Sequence, residues 1–259
     1  MTTAASPHET PSDVVVVMLM DYLSRHQAWG WMRLVAGASA FKDVPGLVFA
    51  KVMGSGHKGG FTLRPSASHQ GLICRFSRLD QALEFLRGKQ AANLRDRARE
   101  SWTGVLAVTS SRGSWDQQPW PVSQHLPAHD PLGSGDAASR RPLAILTRAS
   151  IVPTKAMAFW RHAPAAQSDL HSATGCMLAM GLGEAPLVRQ CTFSLWRDAQ
   201  AMRDYATRGA HQTAAAAAHR HGFFSESLFV HMDVLQMDGV WQGQALRHGP
   251  VLDAEPAHA

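Results

Sequence analysis

Histidines that fall on a single predicted helix are the first residues in this sequence whose spacing bears on chemistry. The chain of 259 residues has 14 histidines, and His211, His219 and His221 lie in a long helix predicted at 198–221. An imidazole nitrogen can bind a metal ion or carry a proton near neutral pH. At about 100° per residue, however, His219 and His221 project about 80° to either side of His211. A metal site shared by all three is therefore not predicted.

The three cysteines, Cys74, Cys176 and Cys191, are the other candidate metal ligands. Their odd number and the absence of a Cys-x-x-Cys pair argue against a disulfide framework and against a cysteine zinc site. Cys74 and Cys191 each stand two residues before a Phe-Ser pair, and this matching placement favours packing in a core. A thiolate ligand stays open as an alternative, and the free cysteines fit a reducing compartment.

Glycines at 54–60 are the nearest approach to a nucleotide-binding motif. Gly54 and Gly56 are followed by Gly59 and Gly60, but this spacing does not match a flavin or nicotinamide fingerprint at a strand-to-helix turn. We interpret the stretch as a turn between neighbouring strands. Any redox chemistry therefore requires a cofactor that is bound in another way.

Composition is ordinary for a soluble globular protein, with 45% hydrophobic and 17% charged residues. The net charge of +5 is spread along the chain without a long basic block, so nucleic acid is not predicted as a partner. The polar start at 1–13 does not resemble a secretion signal, and the apolar run at 14–20 is shorter than the roughly 20 residues that span a bilayer. We expect a cytoplasmic protein with disordered tails at 1–13 and 246–259.

Hydrophobic patterning predicts the elements that must position these residues. In the first half we expect strands at 14–19, 48–53, 71–76 and 104–109, with helices at 27–40 and 80–100. In the second half we expect strands at 143–151, 176–181, 188–195 and 227–235, with helices at 154–162 and 198–221. Asp80 and Asp198 stand where they can cap the two long helices. Each half thus reads strand, helix, strand, strand, helix, strand.

The two halves also share a series of landmarks in the same order. The pairs are Cys74-Arg75-Phe76-Ser77 with Cys191-Thr192-Phe193-Ser194, Arg87-Gly88 with Arg208-Gly209, and Trp115 with Trp241. The offsets between matched residues are 117 for the cysteines, 121 for the glycines and 126 for the tryptophans. We interpret the halves as diverged copies of one unit, with chance similarity of common residues as the alternative.

This order of elements is that of a ferredoxin-like βαββαβ unit. We therefore predict an α+β protein with two tandem ferredoxin-like units, at 14–122 and 143–245, joined by a polar linker at 123–142. The two sheets are expected to pair within one chain, as in a dimeric α/β barrel. In that arrangement the sheet faces opposite the helices would enclose a shared cavity.

Most of the chain, from about 29 to 244, resembles the spheroidene monooxygenase family of the carotenoid pathway in phototrophic bacteria. The strongest blocks are PGL at 45–47, KVMGSG at 51–56, GF at 60–61, LTRA at 146–149, AFWR at 158–161, GEAPL at 183–187, TFSLW at 192–196, His211, and GFFSE at 222–226. The polar tails, the long linker and the cysteines at 74 and 191 depart from the family pattern.

The resemblance implies an enzyme that converts a linear carotenoid such as spheroidene to its 2-keto derivative. It implies O₂ as co-substrate, electrons from a donor protein such as ferredoxin, and a bound heme. Two other functions remain open on the same scaffold: a heme-dependent lyase or dehydratase, and a heme or hydrophobic-ligand binding protein without catalysis.

With heme as the cofactor, His211 becomes the predicted axial ligand because it lies inside a block of resemblance and follows Gly209. Its counterpart in the first half, at an offset of 121, is Gln90, which predicts one heme per chain. Arg148 and Lys51 end apolar strand segments and could each hold a heme propionate, or else form a surface ion pair. The alternative for His211 is a helix cap or a bond to a nearby carbonyl.

A polyene substrate would need a long apolar surface, and several aromatic residues could line it. These are Trp102, Trp160, Phe193, Trp196, Phe223 and Phe224, although such residues are equally typical of a core. Because the substrate resides in membranes, we also expect possible peripheral contact with the inner membrane. The partly amphipathic stretch at 29–41 is the candidate for that contact, with an ordinary helix packed on the sheet as the alternative.

Overall fold

The computed structural model describes residues 11–124, 141–161, 170, 172–185, 187–207 and 222–250. The strands are β1 Ser12–Tyr22, β2 Leu47–Gly56, β3 Pro65–Arg78, β4 Ala98–Gly113, β5 Leu143–Ile151, β6 Cys176–Ala185, β7 Arg189–Trp196, β8 Phe224–Trp241 and β9 Gln244–Ala245. The helices are α1 Gln27–Ala36, α2 Leu79–Arg87, α3 Lys89–Arg95 and α4 Ala199–Ala206, with a further helical segment at 156–161.

Eight of these strands form one closed antiparallel barrel. Their order is β4-β1-β3-β2-β6-β7-β5-β8, and β8 pairs with β4 to close the ring. The β4–β8 seam is long, running from Trp102 opposite Gly239 to Gly113 opposite Leu228. The β2–β6 seam is short, with Gly54 opposite Gly183 and Ser55 opposite Leu182. The two halves of the chain therefore share one continuous sheet.

The interior of the barrel is a packed core. Alternate residues of the strands point inward, and they form one buried apolar cluster that includes Leu19, Trp102, Leu146, Phe193 and Met232. Burial of this size is the main favourable contribution to folding. The prediction of a shared cavity between the sheet faces opposite the helices is therefore wrong, because the inward side chains of the described strands pack against one another there.

The outer face of the first-half strands is covered by helices. Its large apolar side chains pack beneath α1, α2 and α3; they include Val14, Val16, Met18, Leu72, Cys74 and Phe76. The opposite face of the same strands supplies the barrel interior. Two-sided burial of this kind explains the continuous apolar run at 14–20.

Most predicted elements are present, but one helix was predicted too long. The helix expected at 80–100 breaks at Gly88, where the backbone is extended, and residues from Ala98 onward belong to β4. Glu100 therefore lies on a strand, where its carboxylate accepts hydrogen bonds from the backbone N–H groups of Gln242 and Gly243 at 2.7 and 2.9 Å. The predicted helix was extended through this charged stretch because charged residues suit the exposed side of a helix and of a strand alike.

One landmark of the repeat is displaced by a residue. Cys74 and Phe76 lie on the outer face under the helices, whereas Cys191 and Phe193 point into the barrel. A shift of one residue exchanges the two faces of a strand, so the offset of 117 does not join equivalent positions. The tryptophan landmark is different: Trp115 and Trp241 are both buried in the barrel core.

Candidate functional site

The outer face of the second-half strands differs from that of the first half in carrying small or polar residues at its centre, whereas Leu143, Ile145 and Trp196 on the same face pack with α4. We call it the second-half face, and its central residues are Thr147 and Ala149 on β5, Ala179 and Gly181 on β6, Thr192 and Ser194 on β7, and Phe229 and His231 on β8. Thr147 is exposed, and 40% of the Phe229 surface is exposed. Ala149, Ala179, Gly181 and Ser194 are buried, so the exposed part of this face lies around Thr147 and Phe229.

A loop from the first half borders the second-half face. A Cβ atom on Gly181 would lie 2.8 Å from the Gly60 carbonyl oxygen and 2.9 Å from the Phe61 Cα. Such distances are too short for any side chain, so glycine at this position lets the loop rest on β6. The Phe61 ring stacks on Trp160, with ring centroids 5.1 Å apart.

Phe61 and Trp160 belong to what we call the aromatic cluster, whose members are Phe61, Phe159, Trp160, Phe223 and Phe224. The Phe159 ring lies 6.1 Å from Phe223 and 5.7 Å from Phe224, edge to face in both cases. The Trp160 indole N–H donates to the Leu187 carbonyl at 3.0 Å, which fixes that ring. Trp160, Phe223 and Phe224 were candidates from the sequence and do lie together, whereas Trp102 and Phe193 belong to the barrel core and Trp196 packs near α4.

The second feature is an internal charge cluster near one end of the barrel. It comprises Lys51 on β2, Asp116 after β4, Arg148 on β5, Glu184 on β6, Arg189 on β7 and Glu226 on β8. Arg148 is only 1% exposed and donates to Glu226, to Glu184 at 3.3 Å and to Asp116 at 3.5 Å. Lys51 lies 2.5 Å from Asp116 and 2.9 Å from Glu184. Three cations and three carboxylates balance each other.

Hydrogen bonding sets the charge state of this cluster. Burial alone would raise the pKa of Glu226, but bonds from the Gln117 N–H, the Ser114 hydroxyl and Arg148 lower it to about 2. Burial likewise works to lower the pKa of Lys51, and hydrogen bonds to Asp116 and Glu184 raise it instead. Both groups therefore stay charged at neutral pH.

Two tryptophans close the barrel beside these charges. Trp115 and Trp120 stack with centroids 5.8 Å apart, and Phe49 meets both rings edge to face. The Arg148 guanidinium lies 5.5 Å from the Trp115 ring centroid, at cation–π distance. Within the described part of the chain, the indole N–H groups of Trp115 and Trp120 have no acceptor. The cluster and the stacked rings together seal this end of the barrel.

The predicted site residues divide into two groups. Lys51 and Arg148 come from different halves yet lie in the same cluster, which sequence reasoning had not anticipated. Their partners Asp116, Glu184 and Glu226 were missed, although Glu184 and Glu226 continue the inward-facing alternation of β6 and β8. His211, and with it His219, His221, Arg208 and Gly209, lies outside the described residues. The predicted role of Lys51 and Arg148 in binding a heme propionate remains a prediction, and both side chains are already paired with carboxylates.

The structure also shows where the other residues singled out in the sequence lie. Gln90, the counterpart proposed for His211, lies on α3 and donates to the Ala40 carbonyl at 3.4 Å. Cys74 is buried under the first-half helices and Cys191 inside the barrel core, and burial raises the pKa of both thiols. Among the described residues no group of three His, Cys, Asp or Glu could hold a metal ion, and no helix is long and apolar enough to cross a membrane.

Comparison with known proteins decides the family. The chain is 42% identical over 245 residues to the spheroidene monooxygenase of Rubrivivax gelatinosus, covering 93% of this chain and 91% of that protein. The chain belongs to the spheroidene monooxygenase family. A second member, from Rhodobacter capsulatus, is 31% identical over 232 residues, which is 88% of this chain and 92% of its own length. No family model matches the sequence.

Aldoxime dehydratases of known structure share the fold of this spheroidene monooxygenase family member but have little sequence identity with it. A crystal structure of aldoxime dehydratase has a TM-score of 0.55 and 11% identity, covering 89% of this chain and 83% of its own. The aldoxime dehydratase OxdRE, in complex with butyraldoxime, has a TM-score of 0.54 and 10% identity, covering 89% of this chain and 81% of its own. Both likenesses are consistent with the α+β barrel described above.

Proposed function

We propose that this chain is a monooxygenase that oxidises a linear carotenoid such as spheroidene, introducing a keto group at carbon 2. The observation that carries the proposal is the 42% identity to a spheroidene monooxygenase along nearly the whole of both chains. Each oxygenation puts one oxygen atom of O₂ into a C–H bond and reduces the other to water with two electrons and two protons, the electrons coming from a donor protein of the ferredoxin type. Two such oxygenations at carbon 2 give a geminal diol, which loses water to leave the ketone. The carotenoid is a hydrocarbon, so its binding must rely on apolar contact.

We further propose heme as the cofactor, held against the second-half face. The described residues that fit a porphyrin there are Thr147 and Phe229, which are exposed, and Thr192, which is half-buried beside Thr147. The outer face of the first-half strands is instead covered by α1, α2 and α3. When bound, heme supplies the activation of O₂ that no amino-acid side chain can provide.

His211 is proposed as the axial ligand of that heme. The segment that contains it connects α4, which packs on Trp196, to Phe223 of the aromatic cluster. Both ends of the segment thus adjoin the second-half face. The proposed propionate contacts of Lys51 and Arg148 would require a propionate to replace Glu184, Asp116 or Glu226 as their partner.

The packed barrel restricts where the polyene can bind. Because side chains fill the interior, the substrate is proposed to lie outside the barrel, along the second-half face and the aromatic cluster. Rings of this cluster would exclude water from the reacting carbon and fix the direction of the chain. The internal charge cluster holds the sheet beneath them in shape.

The repeated strand order supports a further proposal, that the fold is a duplicated ferredoxin-like unit. The first half orders its strands β4-β1-β3-β2, and the second half orders its strands β8-β5-β7-β6, which is the same order. The proposed unit boundaries are 14–122 and 143–245. They place both seams, β4–β8 and β2–β6, between the two units.

Expression in a host that accumulates spheroidene tests the function. We expect the pigment extract to gain a ketocarotenoid only when O₂ is supplied, and the purified protein to show a Soret band after heme loading. His211→Ala should lose both, while Gln90→Ala is the matched control at the counterpart position. Unchanged pigment with soluble, heme-loaded protein would contradict the proposed substrate. A full Soret band in His211→Ala would contradict the proposed ligand.

A further inference from the structure

One face of α1 is apolar and points into solvent. Trp31, Met32 and Val35 keep 44%, 62% and 88% of their surface exposed. With Ala28, which is also exposed, they span about 100° of the helix circumference at about 100° per residue. A surface helix normally turns an apolar stripe of this width toward the core. Here the stripe faces outward.

The opposite side of α1 holds the helix firmly on the sheet. A Cβ atom on Gly30 would lie 2.8 Å from the Tyr22 ring, so the backbone approaches the ring as closely as glycine allows. Trp29 meets the same ring edge to face at 5.6 Å. The exposed stripe is therefore presented by a fixed helix, and it cannot turn inward without breaking these contacts.

The charges within the stretch that contains α1, residues 22–42, all have one sign. From residue 22 to residue 42 the sequence contains no Asp or Glu; Asp43 is the first acid after the stretch. Arg25 precedes the helix and Lys42 follows it, and both are exposed. Arg33 lies at the base, 5.0 Å from the Phe41 ring centroid. An apolar stripe between exposed cations complements an anionic lipid surface.

We propose that α1 docks on the surface of a bilayer that contains anionic lipids. Trp31, Met32 and Val35 enter the boundary between headgroups and acyl chains, while Arg25 and Lys42 contact the lipid phosphates. With 10 residues, α1 lies in the interface and does not cross it. The proposal deepens the proposed function, because an enzyme that acts on a hydrocarbon must collect it from a lipid phase.

Vesicle cosedimentation of the full chain tests the docking. We expect the protein to sediment with vesicles of phosphatidylcholine mixed with phosphatidylglycerol, and more weakly with phosphatidylcholine alone. The triple variant Trp31→Ser, Met32→Ser and Val35→Ser should bind at least about tenfold more weakly, because each side chain contributes buried apolar area. Val122→Ser combined with Val240→Ser is the matched control, since these residues are 49% and 39% exposed elsewhere. The control should bind as the wild type does.

Three results would overturn the proposal. They are wild-type protein that binds neither vesicle, a triple variant that binds as well as the wild type, and equal loss of binding in the control. A second copy of the chain is the other possible occupant of this face. Sedimentation velocity distinguishes it: a wild-type dimer that becomes a monomer in the triple variant, without vesicle binding, would also overturn the proposal.

Turnover measurements separate this proposal from the proposed function. We expect the triple variant to oxidise carotenoid supplied in detergent micelles at the wild-type rate, but carotenoid embedded in vesicles at least about tenfold more slowly. If the wild type oxidises no carotenoid in either form, the proposed function fails, while vesicle binding still decides the docking. If the variant is equally impaired in micelles and in vesicles, docking is not the role of these residues.

Discussion

Arg148 on β5 donates a hydrogen bond to Glu226 on β8, and the same carboxylate accepts from the Ser114 hydroxyl and the Gln117 N–H of the loop that follows β4. The hydrogen bonds from Ser114 and Gln117 therefore join the first half of the chain to an ion pair of the second half, close to the β4–β8 seam. Ser114 also donates its backbone N–H to the Ser227 carbonyl at 2.9 Å. The barrel end is closed by polar bonds as well as by apolar packing.

Arg148→Met should lower the free energy of unfolding by about 3 kcal/mol, because it leaves the partly buried Glu226 without its cation and removes one of the cations that pair with Glu184. Arg78→Met is the matched control: Arg78 also pairs with a carboxylate, Asp80, but both side chains are about half exposed. We expect the urea midpoint of the control to stay near that of the wild type. Equal midpoints for the two variants would contradict a structural role for Arg148.

Glu226→Gln should change the pH dependence of stability. The pKa of Glu226 in the folded protein is about 2, below its ordinary value of 4.5. Its ionised form therefore stabilises the fold above pH 4.5, and that contribution is lost as the pH falls through about 2. We expect wild-type stability, measured by urea unfolding, to fall more steeply than that of the variant over this window. Parallel curves would show that Glu226 titrates normally.

The three thiols should differ in reactivity. Burial raises the pKa of Cys176 to about 11, and it raises the pKa values of Cys74 and Cys191 further. Because the thiolate is the reactive form, iodoacetamide at pH 8 should modify Cys176 slowly and the other two only after unfolding in urea. Mass spectrometry of the native protein checks the order. Modification of Cys191 at the rate of Cys176 would mean that the barrel opens readily.

Thr147→Trp should obstruct heme binding without unfolding the protein. Thr147 is exposed in the middle of the second-half face, opposite Phe229 and Thr192 on the neighbouring strands. Overpacking of about 1 to 3 kcal/mol corresponds to about five- to 150-fold weaker binding. Heme titration followed by the Soret band measures the loss, with Thr147→Ser as the control. An unchanged affinity would place heme elsewhere.

Strand alternation made most of the fold predictable from the sequence. The apolar runs at 14–19 and 143–151 predicted the strands observed as β1 and β5, because such runs are typical of strands in which residues of both faces are largely buried. The helix at 80–100 was extended too far, since Arg95 to Glu100 carry no apolar residue that fixes a period except Ala98. Matching residue types do not show on which face of a strand a side chain lies. The sequence comparison therefore paired Cys74 with Cys191, although Cys74 lies on the outer face of the sheet and Cys191 points into the barrel.

The candidate site was less accessible to sequence reasoning. Lys51 and Arg148 were recognised as charges at the ends of apolar strands, but their meeting depends on the tilt of strands around a closed barrel. Asp116 reaches them from a loop held in a positive-φ turn, with φ of 52°. No local pattern predicts such a contact, because its partners are separated by 65 residues for Lys51 and 32 residues for Arg148.

Closure of the barrel through two seams has a consequence for the order in which the protein can fold on the ribosome. The first half emerges with the edges of β4 and β2 unpaired, and their partners β8 and β6 are synthesised only later. A bare strand edge is a template for pairing with other chains. The nascent first half must therefore be protected, or remain incompletely folded, until β8 is made. Completion of the sheet must wait until β8 has been synthesised.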